Sequence, residues 1–256
     1  NEKSAIIVII KKIRSDNTLE IKPLASALNE VFLLVIDNEK LVVKKFTNWY
    51  NFKWFILNIA AYGTKIFSLS GKARLANEYG INRLLTEKNI HVPEIVAISL
   101  KDRVLVEKYV DGESTLDFIS KIFSLKELTN EQKQVAFDIG RTLALIHSLD
   151  IVIGDCKPEN FIIGSNGHIH VLDLEQGERK GDKTWDVAEF LYFSGHFGST
   201  FTGGMRDFVN NFIKGYGQLG DEKVLKRAAS FRYFRVFFGW TLMPIIKSIA
   251  SLLKSR

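Results

Sequence analysis

Between Gly154 and Glu175 the chain reads GDCKPENFIIGSNGHIHVLDLE. An acid (Asp155), a lysine (Lys157) and an amide (Asn160) precede a short apolar run. A Ser-Asn-Gly turn and a second run follow, and then Asp173 and Glu175. Asn-Gly between two β-rich runs is a strong local hairpin signal, and a two-residue loop at Asn166-Gly167 makes Ser165 face His168 and Asn160 face Asp173. Directly opposed residues hold their Cβ atoms about 4.5 to 5.5 Å apart. At that separation a carboxylate and an amide oxygen can share one hard cation. The spacing therefore predicts a metal clamp of Asn160 and Asp173, with Asp155 and Lys157 just upstream. A surface hairpin with polar ends carries the same pattern.

Elements on both sides must position these groups. VFLLVIDNEKLVVKKF, residues 31–46, consists of two β-rich runs around Asp-Asn-Glu-Lys, a second hairpin. In GKARLANEYGINRLLTEKNI, Leu75, Tyr79, Asn82 and Leu85 recur at helical spacing, and Val92-Pro93 ends the pattern. EIVAISLKDRVLVEKYVDG returns to strands. Residues 47–70, aromatic and apolar, are expected to hold an inserted helix. After Gly112 the pattern becomes helical: LTNEQKQVAFDIGRTLALIHSL offers a capping box of Thr129 with Gln132 and apolar positions 135, 139, 143 and 146. His147 is expected to pack at the end of that helix without a catalytic part. A sheet-rich first part and a helix-rich second part without βαβ alternation predict an α+β fold of two lobes, 1–110 and 111–256, with a cleft between them.

The 256 residues, 46% hydrophobic and 25% charged, suit a globular protein and exclude a disordered chain. A single cysteine, Cys156, excludes an intramolecular disulfide and a cysteine metal site, and suggests a reducing, cytoplasmic setting. Asp155 beside it raises its pKa, so Cys156 reads as a bystander. The net charge of +6 is local: eight Lys/Arg and two acids follow from Asp221 onward, leaving 27 of each sign before it. Such a basic tail suggests an anionic partner, or solvated helix faces. The uncharged stretch Val236–Ile246 is too short to span a bilayer and reads as core or interface. AIIVII near the start is too short for a signal-peptide core.

Taken in order, these motifs resemble the protein-kinase-like superfamily, from about Leu24 to Phe193. VVKKF is similar to the strand whose lysine holds the nucleotide phosphates, which implies that role for Lys44, with Lys45 as the alternative. Glu78 matches the helix glutamate that pairs with it. VLVEKYVDG resembles the segment linking the lobes, which implies that the backbone of Glu107 and Tyr109 meets adenine. GDCKPEN resembles the catalytic loop, and DLE stands where kinases have Asp-Phe-Gly. Phosphoryl transfer needs a cation on the phosphates, a bridging divalent metal and a carboxylate that orients the attacking hydroxyl. The resemblance implies Asp155 and Lys157 for catalysis, Asn160 and Asp173 for the metal, and Glu175 as a further metal ligand.

Three departures shape the expectation. The loop PLASALNEVF, which should cover the phosphates, has no glycine; either Ser26 and Asn29 contact phosphate by side chain, or the nucleotide is held loosely. Ile153 stands where many relatives have histidine. Asp173 and Asp186 are only thirteen positions apart, with no Ala-Pro-Glu, so there is no room for a long activation segment. That is similar to the minimal kinases: the Bud32 (KEOPS-associated) and RIO families, lipopolysaccharide-core kinases and aminoglycoside phosphotransferases. The expectation is an ATP-dependent kinase using Mg²⁺ or Mn²⁺ and acting on protein Ser/Thr. Alternatives are a small-molecule kinase for a sugar or lipid headgroup, and a nucleotide-binding scaffold or ATPase with an RNA or protein partner.

Overall fold

The computed structural model describes residues 19–24, 29–36, 39–48, 65 and 67–255. The AIIVII run, Ser26 and most of the 47–70 insertion lie outside the described residues.

Alternation builds the first half. β1 (Leu19–Leu24), β2 (Glu30–Ile36), β3 (Glu39–Lys45), β4 (Ile95–Ser99) and β5 (Val104–Lys108) form one antiparallel sheet in the order β1-β2-β3-β5-β4. The period of two puts Leu34, Ile36, Leu41, Val43, Val104 and Val106 into one apolar cluster. Val42, Lys44, Leu105 and Glu107 consequently share the opposite face. There Leu105 packs with Phe46 and with Leu75 of helix α1 (Gly71–Glu87). α1 starts at the Ser70 cap and buries Arg74, Leu75, Glu78, Ile81, Asn82 and Leu85, a stripe at helical spacing. Lys44 and Glu78 are thereby aimed at each other by the strand period of one element and the helical period of the other.

Helices dominate the remainder: α2 (Thr115–Ile122), α3 (Asn130–Ser148), α4 (Lys183–Ser194), α5 (Gly203–Tyr216), α6 (Glu222–Ala228), α7 (Phe231–Phe234) and α8 (Met243–Lys254). The capping box read at Thr129 and Gln132 is present, and α3 buries Ile139, Leu143 and Ile146. α4 is buried on nearly all sides from Thr184 to Tyr192, as befits the central helix of this half. α8 packs Ile245, Ile246, Ile249 and Leu253 inward, so the C-terminal stretch is part of the second half's core. The α+β architecture of sheet followed by helices is the one expected.

Short strands hold and flank the segment from Gly154 to Glu175: β6 (Gly112–Ser114), β7 (Ile151–Val152), β8 (Phe161–Gly164), β9 (Ile169–Val171) and β10 (Glu178–Arg179). The β8–β9 hairpin forms, but in a register one position away from the expected one. Phe161 pairs with Val171, Ile162 with His170 and Ile163 with Ile169. The Gly164 amide donates to the His168 carbonyl at 2.9 Å, closing a loop of Ser165, Asn166 and Gly167. Gly167 has φ +80°, the left-handed residue that ends a three-residue hairpin loop. Asn160 therefore stands opposite Leu172, whose amide donates to the Asn160 carbonyl at 2.8 Å, rather than opposite Asp173.

Candidate active site

Lys44 lies between two carboxylates, with Nζ 3.1 Å from Glu78 Oε1 and 3.0 Å from Glu107 Oε1. All three side chains are buried. Burial opposes the ammonium charge, but Glu107, Glu78 and Asp173 outweigh it and hold the Lys44 pKa well above its ordinary value. The acids respond in the complementary sense. Burial, with repulsion from neighbouring carboxylates, pushes both Glu78 and Asp173 up to about 7. Glu78 Oε2 and Glu107 Oε2 are buried and accept no hydrogen bond, so this cluster holds more acceptor capacity than Lys44 alone satisfies.

The segment around Asp155 is held by its amides. Asp186 on α4 accepts from the Ile153 amide at 2.6 Å and the Gly154 amide at 2.8 Å, and Glu189 accepts from the Cys156 amide at 2.7 Å. Asp186 also meets His147 Nε2 at 3.1 Å, and His147 Nδ1 is 2.7 Å from the Tyr216 hydroxyl. His147 is thus a buried brace, as its position implied. Gly154 adopts φ +79°, and a Cβ there would fall 2.2 Å from the Gln176 carbonyl oxygen; only glycine allows this close approach. On the segment so fixed, Lys157 Nζ lies 2.8 Å from Asp155 Oδ1. Cys156 is fully buried, and burial, with Asp186, Glu189 and Asp155 adding to it, raises its thiol pKa well above the usual value. It is not a nucleophile.

Asn160 donates its side-chain amide to the Asp155 carbonyl at 2.8 Å, which commits its nitrogen and leaves Oδ1 as the oxygen available to a ligand. Asp173 has φ +54°, a left-handed conformation uncommon outside glycine and concentrated at functional sites. An amide oxygen plus a buried carboxylate with a raised pKa fits a hard divalent cation, whose charge would favour the ionised acid. Among the described residues no three His, Cys, Asp or Glu side chains form a metal cage.

Glu175 is turned elsewhere. Arg74 Nη1 donates to both its oxygens at 2.9 and 3.0 Å, and Asn29 Nδ2 donates to Oε2 at 2.7 Å. Asn29 Oδ1 in turn accepts from Arg74 Nη1 at 2.8 Å. In this structure Glu175 and Asn29 serve one polar cluster, joining the loop before β2 to α1. The Tyr109 amide donates to the Lys40 carbonyl at 3.0 Å, and Glu107 presents its side chain, not its backbone, to Lys44. The Lys108 amide points the other way, to the Glu94 carbonyl at 2.9 Å. Sequence reasoning missed Arg74, Glu189 and the Glu107 carboxylate. The first two carry a usable signal: Arg74 lies four residues before Glu78, and Glu189 three after Asp186, each pair on one helix face.

Comparison with known proteins bears on the family. The model of the phosphotransferase enzyme family matches residues 20–153, just over half of the chain. The chain is 26% identical over 107 residues to the KEOPS complex subunit Bud32 of Pyrococcus abyssi, covering 42% of this chain and 46% of that protein. It is 30% identical over 125 residues to the cAMP-dependent protein kinase catalytic subunit of Dictyostelium discoideum, covering 45% of this chain and 19% of that one. With cAMP-dependent protein kinase catalytic subunit 3 of Drosophila melanogaster it shares 28% identity over 173 residues, 62% of this chain and 28% of the relative. The chain thus spans less than half the length of these curated relatives. The matched family accompanies a buried lysine–glutamate pair and an Asp-x-Lys loop braced from α4, and the chain belongs to the phosphotransferase enzyme family.

Proposed function

We propose that the protein is an ATP- and Mg²⁺-dependent kinase of the Bud32/RIO-like type, transferring the γ-phosphoryl group to a serine or threonine hydroxyl of a protein. The observation that carries this reading is the Asp155–Lys157 contact at 2.8 Å, on a loop braced by Asp186 and Glu189. Asp155 is the carboxylate that would orient the acceptor hydroxyl and take its proton, and Lys157 would balance charge on the transferred group. Lys44 would hold the α- and β-phosphates, and Glu78 would orient Lys44. The segment from Glu107 to Tyr109 would meet adenine. Asn160 and Asp173 would hold the divalent cation, which when bound neutralises phosphate charge.

A second reading, transfer to a small hydroxyl compound, is favoured by the short segment after Asp173. Its side chains are occupied: Glu175 by Arg74, Gln176 by the Ser68 backbone at 2.8 and 3.1 Å, and Glu178 by Lys65 at 2.9 Å. Little of it remains to dock a peptide. Incubation of the purified chain with γ-radiolabelled ATP and Mg²⁺, offered protein acceptors and then sugars and lipid headgroups, separates the two. Label in protein Ser/Thr that disappears in Asp155→Asn supports the first reading; label only in a small acceptor supports the second. Nucleotide binding without transfer to any acceptor rejects both.

A further inference from the structure

The C-terminal surface has a use that the cleft does not account for. Phe231, Phe238, Trp240, Leu242 and Met243 are exposed, with Phe231 at 64% and Leu242 at 53% of their full accessible areas. The rings of Phe231, Phe234 and Phe238 cluster 5.5 to 6.1 Å apart, and exposed Trp240, Leu242 and Met243 follow directly along the chain. The patch is mounted rigidly, because the buried Phe237 packs its ring 5.8 Å from Trp185 and 5.6 Å from Tyr192 of α4. Exposed large hydrophobics scattered singly need no explanation, but a contiguous aromatic patch marks a contact surface.

Charge decides the partner. From Lys223 to Arg256 the chain has eight Lys/Arg and no acid, and Arg232 and Lys247 lie exposed within and beside the patch. Exposed Phe, Trp, Leu and Met on a stretch that carries cations and no acid is the composition of a surface that enters the headgroup region of an anionic bilayer, where the apolar tips leave water and the positive charge favours lipid phosphate. Nucleic acid would use the arginines and aromatic faces, but Leu242 and Met243 would gain nothing from it. Among the described residues no helix is long and apolar enough to cross a membrane, so the contact is peripheral. We propose that the Phe231–Met243 surface docks the protein on anionic lipid membranes. This inference stands independently of the kinase acceptor.

Cosedimentation of the purified full chain with phosphatidylcholine vesicles, with and without phosphatidylserine, tests it. Binding is expected only to the anionic vesicles and should weaken with salt. Arg232→Glu with Lys247→Glu should lower the affinity at least tenfold, taking roughly fivefold for each charge near the surface. Phe231→Ser with Leu242→Ser should lower it at least as far, with the melting temperature checked for each variant. Lipids brominated in their acyl chains should quench Trp fluorescence in the unmutated protein, and Trp240→Phe should remove that quenching, which keeps the test valid should the double variants misfold. Absence of binding to anionic vesicles overturns the proposal. So does binding that responds to the charge reversals but not to the apolar substitutions and shows no quenching, the pattern of a purely basic surface such as one for RNA. Concentration-dependent self-association abolished by Phe231→Ser, without vesicle binding, would assign the patch to a second copy and also overturn it.

Discussion

Arg74 and Glu175, 101 residues apart in sequence, meet in a fully desolvated ion pair, with Arg74 Nη1 2.9 and 3.0 Å from the two carboxylate oxygens. Arg74 also donates to the Thr47 carbonyl and packs over the Phe46 ring, 5.8 Å from its centroid. The pair ties the residue two beyond Asp173 to the helix that carries Glu78. Lys44, Glu78 and Asp173 are therefore positioned by a contact in which none of them takes part.

Arg74→Ala should cost about 3 to 5 kcal/mol of folding stability, the range for removing one partner of a buried pair and leaving the other charge uncompensated. Glu175→Gln in the Arg74→Ala background should then cost much less than it does alone, because the stranded carboxylate is gone. Urea unfolding of the four proteins of this cycle measures the coupling. Additive losses would mean that the pair contributes nothing beyond its separate contacts.

What the sequence made legible was local. The capping box at Thr129, the hairpin around Asp-Asn-Glu-Lys whose second strand carries Lys44, and the acid, lysine and amide order of Asp155, Lys157 and Asn160 all follow from neighbours a few positions apart. The hairpin register escaped because Asn166-Gly167 suits both a two-residue turn and the second half of a three-residue loop, and the left-handed Gly167 of the latter shifts every pair by one. The Glu175–Arg74–Asn29 cluster escaped for a different reason. Its members come from three separate elements, and only the tertiary fold shows that Glu175 is already engaged.

Asp155→Asn should leave ATP affinity nearly unchanged while lowering transfer by roughly two to four orders of magnitude, the range for a positioned general base. Its geometry should survive, because the bonds that hold the segment run from the Ile153, Gly154 and Cys156 amides to α4 and from Asn160 to the Asp155 backbone, not its carboxylate. Single-turnover transfer measured beside nucleotide titration checks both halves. Turnover equal to that of the parent would remove Asp155 from the mechanism.

The nucleotide-free, chelator-treated protein should be most stable in mild acid. Burial raises Glu78, Asp173 and Glu175 each to about 7, against about 4 for carboxyls in an unfolded chain. Between those values the folded state binds more protons than the unfolded one, so stability falls as pH rises, being fully present below about 4 and lost through about 7. Glu131 and Asp150 are shifted downward but lie at the surface, where the opposing contribution is small. Melting temperatures from pH 5 to 8 at constant ionic strength should decline across that window. A flat or rising profile would contradict the protonated cluster.

Two substitutions two residues apart distinguish metal ligand from scaffold. Asp173→Ala should abolish the strengthening of ATP binding by Mg²⁺, because it removes a buried carboxylate that lies within electrostatic reach of both Lys44 and Asp155. Glu175→Gln should keep most of that strengthening while lowering the melting temperature, because both Glu175 oxygens already serve Arg74 and Asn29. Nucleotide titrations with and without Mg²⁺ on the two variants provide the comparison. Equal loss of the Mg²⁺ effect in both would return Glu175 to the metal shell and require the Arg74 contact to open when nucleotide binds. Retention of the full effect in Asp173→Ala would instead remove Asp173 from the cation site and leave Asn160 without its partner there.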